Sequence, residues 1–133
     1  QDPGSEFVDQ AITAAASEPM IQVLGHLDRP TFIGLLRRAE VLVGNSSAGL
    51  IEAAALGCPA VNLGPRQGGR ERPDSVIEVE IPDIQRITEA IGKAIAGKSS
   101  GEHPYGSGGT GRKIAALLAE SRLEVSPRKR NAF

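Results

Sequence analysis

Apolar residues gather in four short runs of β-branched or aliphatic side chains, at residues 20–24, 41–44, 60–63 and 76–79. Each run passes through a turn into helical spacing. "RPTFIGLLRRAE" carries Pro30 near its start and puts Phe32, Leu35, Leu36 and Ala39 on one face. "AGLIEAAALG" predicts a second helix, ended by Gly57 and Pro59. A third starts at Asp83, a natural N-cap, carries Ile84, Ile87, Ile91 and Ile95 as one stripe and stops at Gly97. A fourth is expected from about Thr110 to Arg122, with Ile114, Leu117 and Leu118 turned inward. Strands alternating with helices imply an α/β fold, a parallel sheet flanked by helices. "SEFVDQAITAAAS" reads as the end of a further helix without its strand, so the chain is expected to begin inside a domain.

Composition narrows this picture. A chain of 133 residues is at most one ordinary domain, and with three Phe, one Tyr and no Trp its core must be built from Ala, Val, Leu and Ile. A formal charge of -1 gives no electrostatic reason to expect nucleic acid. No apolar run is long enough to cross a bilayer, so no membrane partner is expected. The single cysteine, Cys58, excludes an intrachain disulfide framework and fits a reducing, cytoplasmic setting. Residues 1–7, "QDPGSEF", read as a scar from adjacent cloning sites, and residues 126–133 form a basic tail with Arg128, Lys129 and Arg130. Residues 8–125 are the informative domain.

Chemistry concentrates after the second run. In a parallel α/β sheet, ligands sit beyond the carboxyl ends of the strands, and Gly44 to Gly49 falls at such a point. A helix starting there would offer free N–H groups to an anion, and Ser46 and Ser47 would add hydroxyls, so phosphate is a natural guest. Glu52, aimed sideways, suits the two hydroxyls of a ribose, and the combination suggests a nucleotide. The same residues also read as a plain helix cap and a favourable first-turn acid. A second loop, "GPRQGGR", follows the next strand on the same sheet edge, with Arg66 and Arg70 as multidentate phosphate donors and Gly68 and Gly69 allowing close approach. Its arginines read equally as solvated groups on a mobile loop.

These residues carry a resemblance. "GNSSAGLIEAAALGCPAVNLGPRQGGR" resembles the signature of the hydrolysing UDP-N-acetylglucosamine 2-epimerases, with Gly57, Pro59, Val61, Asn62, Gly64, Arg66, Gln67, Gly69 and Arg70 all in place. "HPYGSGGTGRKIAALL" is similar to that family's closing segment, with His103 where Asn is usual. The resemblance implies an incomplete C-terminal domain, Rossmann-like, from a two-domain enzyme of GT-B-like architecture. Such an enzyme converts UDP-GlcNAc to UDP and N-acetylmannosamine, eliminating UDP across C1–C2 and then adding water. It implies no cofactor and no metal. It assigns Ser46 and Ser47 to the diphosphate, Glu52 to the ribose, Arg66 or Arg70 to the phosphates, and the backbone of Gly25, His26 and Leu27 to the uracil; His26 also reads as an ordinary loop residue. The family's catalytic carboxylates belong to a first half missing here, so no catalytic residue is expected in this chain and it should be inactive alone.

A glycosyltransferase C-terminal domain would use a comparable site, but its Glu-x(7)-Glu pattern is not met by Glu52 alone. A free-standing nucleotide-binding module is the non-enzymatic alternative. In the doubly wound order, residues 20–24 match strand 3 and 41–44 strand 4, leaving an open apolar edge. That edge predicts either direct pairing of the two runs or association with a second copy, a homo-oligomer.

Overall fold

The computed structural model describes residues 5–97 and 103–120. They divide into two units, one ending at His103 and the other beginning at Pro104.

Three parallel strands form the sheet of the first unit: β1 (Leu42–Gly44), β2 (Ala60–Leu63) and β3 (Val76–Val79), in the order β1-β2-β3. The register sets Gly44 beside Asn62 and Asn62 beside Glu78. Because side chains alternate along a strand, β2 serves both faces. On one, Ala60 packs with Ala53 and Cys58, next to Leu42 and Val76. On the other, Val61 packs with Val79, Ala90 and Ala94, next to Ile87 and Ile91. Burial on both faces is what a parallel sheet between helices requires.

The helix over that second face is α4 (Ile84–Ala96). Its start is the expected cap: the Asp83 carboxylate accepts the Arg86 N–H at 2.8 Å, and Gly97 ends it. The buried stripe is shifted from the expected isoleucines. Ala90 and Ala94 lie against the sheet, Ile87 and Ile91 flank them, and Ile84 and Ile95 are exposed. Small side chains at the line of closest approach let the helix backbone settle onto the strands.

Elsewhere three expectations are corrected. Residues 20–24 form no strand; Met20 is 94% exposed and Ile21 47% exposed. Strand backbone needs a hydrogen-bonded neighbour, and among the described residues the sheet's β1 edge pairs only with β2, so neither direct pairing of the two runs nor a fourth strand is formed. The run "AGLIEAAALG" is not one helix but a 3-10 turn, Ser47–Gly49, followed by the four-residue α3 (Glu52–Ala55). Gly49 explains the break: a Cβ there would stand 3.4 Å from that of Ala60, so the turn lies directly on the sheet instead of rising from it as a helix. Helix α2 (Arg29–Leu36) is capped by Asp28, which was not anticipated, but stops short of Glu40, and only Leu36 on it is buried.

Helix α1 (Ser5–Ala15) runs through the end of the presumed cloning scar. In the second unit, α5 (Thr110–Glu120) follows a turn at Pro104 and Tyr105, and Ile114, Leu117 and Leu118 are exposed, not turned inward. The basic tail and residues 121–125 lie outside the described residues.

Candidate functional site

Parallel strands deliver their carboxyl ends to one edge, so the loops leaving Gly44 and Leu63 emerge side by side. Gly64, at φ 72°, turns the chain out of β2 in a conformation that L side chains rarely adopt, which is the physical reason for glycine there. The chain then makes a 3-10 turn, Pro65–Gln67, and returns through Arg70 to Arg72.

The two loops meet at one atom. The carbonyl oxygen of Asn45 accepts the Gln67 side-chain amide at 2.8 Å and an Arg66 guanidinium N–H at 3.4 Å. Gln67 is 5% exposed, whereas Arg66 lies open to solvent. A chain of polar contacts anchors the other end of the loop. Arg72 donates to the Arg70 carbonyl at 2.7 Å and ion-pairs with Glu78, and Glu78 accepts from the buried Asn62 amide at 2.7 Å.

Of the residues expected to bind a nucleotide, Ser46, Ser47 and Arg66 are thus brought together beside Asn45. Ser46 takes part in a cap as well: its hydroxyl oxygen accepts the Ala48 N–H at 3.3 Å, so the capping role is real, while its O–H remains able to donate. Ser47 opens the 3-10 turn and is half-buried. Glu52 begins α3 at 23% side-chain exposure, and its carboxylate meets Arg29 at 3.5 Å. That pair uses one carboxylate oxygen and leaves acceptor capacity on the other. Arg70 is exposed, and among the described residues it is tied to its neighbours through its backbone.

Gly25, His26 and Leu27 lie in an irregular stretch leading to the α2 cap. No hydrogen bond joins them to either loop among the described residues; the nearest link is Arg29, which reaches Glu52. Because the helix behind the serines is four residues long, the helix-dipole argument for an anion falls away. What remains is hydroxyl groups, loop N–H groups and arginines.

Two hollows border the loops. A mainly apolar cavity of about 140 Å³ lies under Gly44 and Ser46, walled by Phe32, Leu42, Val61 and Asn62. It is too small for a nucleotide, which needs several hundred Å³. The wider depression of about 600 Å³ beyond Gly64 is edged by Arg72, Glu78 and Glu80, two carboxylates against one guanidinium.

Asn45, Gln67 and Arg29 were not foreseen as site residues. Gln67 had a signal, its place inside the Arg-Gln-x-Gly-Arg run; Asn45 acts through its backbone and Arg29 through a contact across 23 positions, for which the sequence offers no sign.

The arrangement is that of two polar loops side by side at the strand ends of an α/β sheet. The model of the UDP-N-acetylglucosamine 2-epimerase family matches residues 2–119, and the chain belongs to that family. It is 37% identical over 120 residues, 88% of its length, to a UDP-N,N'-diacetylbacillosamine 2-epimerase (hydrolyzing) of Legionella pneumophila, of which it covers 31%. A UDP-N-acetylglucosamine 2-epimerase of Neisseria meningitidis is 32% identical over 110 residues, 82% of this chain and 29% of the relative. A GDP/UDP-N,N'-diacetylbacillosamine 2-epimerase (hydrolyzing) of Campylobacter jejuni is 31% identical over 70 residues, 53% of this chain and 18% of the relative. The chain thus spans less than a third of the length of these relatives. Among the described residues no group of three or more His, Cys, Asp or Glu is placed to hold a metal, and no helix is long and apolar enough to cross a membrane.

Proposed function

We propose that this chain is the UDP-binding part of a hydrolysing nucleotide-sugar 2-epimerase and is inactive by itself. The observation that carries the reading is the meeting of the two loops at the Asn45 carbonyl, which sets Arg66 beside Ser46 and Ser47. Family membership and the hydrolysing relatives support it. Ser46 and Ser47 donate to the diphosphate, Arg66 leaves its 3.4 Å contact to join them, and Arg70 adds a second guanidinium from the far side of the loop. Glu52 accepts from the ribose hydroxyls through the oxygen that Arg29 does not use. Gly25, His26 and Leu27 supply backbone toward the uracil. The whole enzyme eliminates UDP from a UDP-N-acetylhexosamine and adds water to the sugar, with its catalytic carboxylates outside this chain. Its partners are that nucleotide sugar, the remaining part of the enzyme, and a second copy of the chain. Its place is the cytoplasm, where nucleotide sugars are made and used.

Titration of the chain with UDP, followed by NMR, is expected to shift the amide signals of residues 44–52 and 66–70. Shifts confined to other segments overturn the site. Glu52→Ala should weaken UDP binding roughly tenfold, the loss expected for hydrogen bonds to a charged acceptor, and leave inorganic diphosphate binding unchanged. Equal losses for both ligands remove Glu52 from the ribose.

A further inference from the structure

A loop that carries phosphate-binding arginines works only if its backbone is held where the anion will be, because ordering it at the moment of binding subtracts from affinity. Residues 64–72 contain four glycine or proline positions and three exposed arginines, a composition that by itself predicts mobility. The structure nonetheless fixes the loop at both ends. At the distal end Arg72 bridges the Arg70 carbonyl and Glu78. At the proximal end the contacts converge on the Asn45 carbonyl, and here the two donors differ in kind. Arg66 approaches at 3.4 Å from an exposed position, a long contact that an anion can outcompete. Gln67 approaches at 2.8 Å from a buried one.

We infer that Gln67 is a positioning residue: its buried side-chain amide straps the arginine loop to the backbone of the serine loop, so that Arg66 and Ser46–Ser47 are held as one donor set before the ligand arrives. The Asn45 carbonyl stays held by Gln67 when Arg66 leaves it for phosphate. Burial of Gln67 shields the donor side of the bond from water, while Asn45 itself is exposed, so what the strap contributes is the fixed position of the loop. Glycine at 68 and 69 gives the loop its path, and Gln67 selects one conformation from the many that path allows. The inference rests on the nucleotide reading of the two loops, but its structural half stands separately.

Two substitutions isolate the donor. Gln67→Met keeps the length of the side chain without its amide, and Gln67→Glu keeps the shape but presents an acceptor to an acceptor. Ile91→Val, on α4 where it packs against the sheet core, supplies a loss of global stability unconnected with the loops. Hydrogen exchange at residues 45–48 is expected to quicken by roughly tenfold or more in both Gln67 variants relative to Ile91→Val, and UDP affinity to fall by roughly three- to tenfold. Exchange at 45–48 that follows global stability alike in all three variants overturns the strap. UDP affinity unchanged in the Gln67 variants, while the parent chain binds UDP, overturns the positioning role. A parent chain that does not bind UDP removes the proposed function, and the exchange measurement still decides the strap. Should neither Gln67 variant fold, the parent answers directly: side-chain amide protons of Gln67 that exchange as quickly as those of the exposed Gln85 overturn the inference, and slow exchange with a nuclear Overhauser contact to Ser46 sustains it.

Discussion

Two valines with the same strand-like surroundings in sequence meet opposite fates. Val61 lies in "PAVNL" and is 1% exposed between β1, β3 and α4. Val23 lies in "MIQVL" and is 47% exposed in a segment without regular structure. Their local patterns are almost interchangeable, so the difference is supplied by neighbours. Val61 has a paired strand on each side and a capped helix above; residues 20–24 have none of these among the described residues. Apolar patterning states what a segment needs, and pairing decides whether the need is met.

The comparison is broken most sharply by making the same change on each side. Val61→Ala should destabilise the chain by about 2 kcal/mol, from lost transfer energy plus the cavity left behind. Val23→Ala should change it by less than about 0.5 kcal/mol, as at an ordinary exposed position. Urea denaturation of both variants measures the difference directly. Comparable losses would mean that residues 20–24 are buried in solution, by strand pairing or by a second copy.

Helix caps give a smaller contrast along the same divide. Asp83 and Asp28 have equivalent sequence signatures, and both carboxylates accept the N–H three residues on, at 2.8 Å and 3.2 Å. What the helices bury is unequal: α4 covers the sheet with Ala90 and Ala94, and α2 buries Leu36 alone. Asp83→Ala is therefore expected to cost about 1 kcal/mol of global stability, and Asp28→Ala only a few tenths, with fraying confined to α2. Denaturation midpoints together with Cα chemical shifts of residues 29–36 separate the global from the local loss.

The same divide marks how far the fold was legible in the sequence. Strands β2 and β3 and helix α4 were readable because each is announced locally, by an apolar run between turn residues or by a cap and a glycine stop. The strand expected at 20–24 was not, since a hydrogen-bonded neighbour is not encoded in the segment itself. The break of "AGLIEAAALG" depends on the approach of Gly49 to Ala60, again a fact of tertiary contact. Within the candidate site, residue types and loop positions were legible from strand-end logic. Their connections were not: Gln67 to Asn45 and Arg29 to Glu52 span 22 and 23 positions, and neither period nor motif reports such a pair.

Cys58 offers the smallest effect and tests the opposite face of β2 from Val61. The thiol is buried beside Ala53 and Ala60, with the carbonyls of Pro59 and Ala39 at 3.5 Å and 3.7 Å. Burial pushes it above its ordinary value because the thiolate would be desolvated; a backbone hydrogen bond from Leu42 pulls the other way and only partly offsets this. The folded chain thus holds the thiol proton more tightly than the unfolded chain. Its contribution to stability is complete below the unfolded value, about 8.5, and is lost as pH rises through the raised folded value. Iodoacetamide should accordingly label Cys58 slowly in the native chain at neutral pH and at the ordinary thiol rate in urea. Stability should decline in alkali by an amount that Cys58→Ala abolishes. Rapid native labelling at neutral pH would show that this face of the sheet opens as readily as the segment around Val23, and the contrast between the two regions would then hold only for the α4 face.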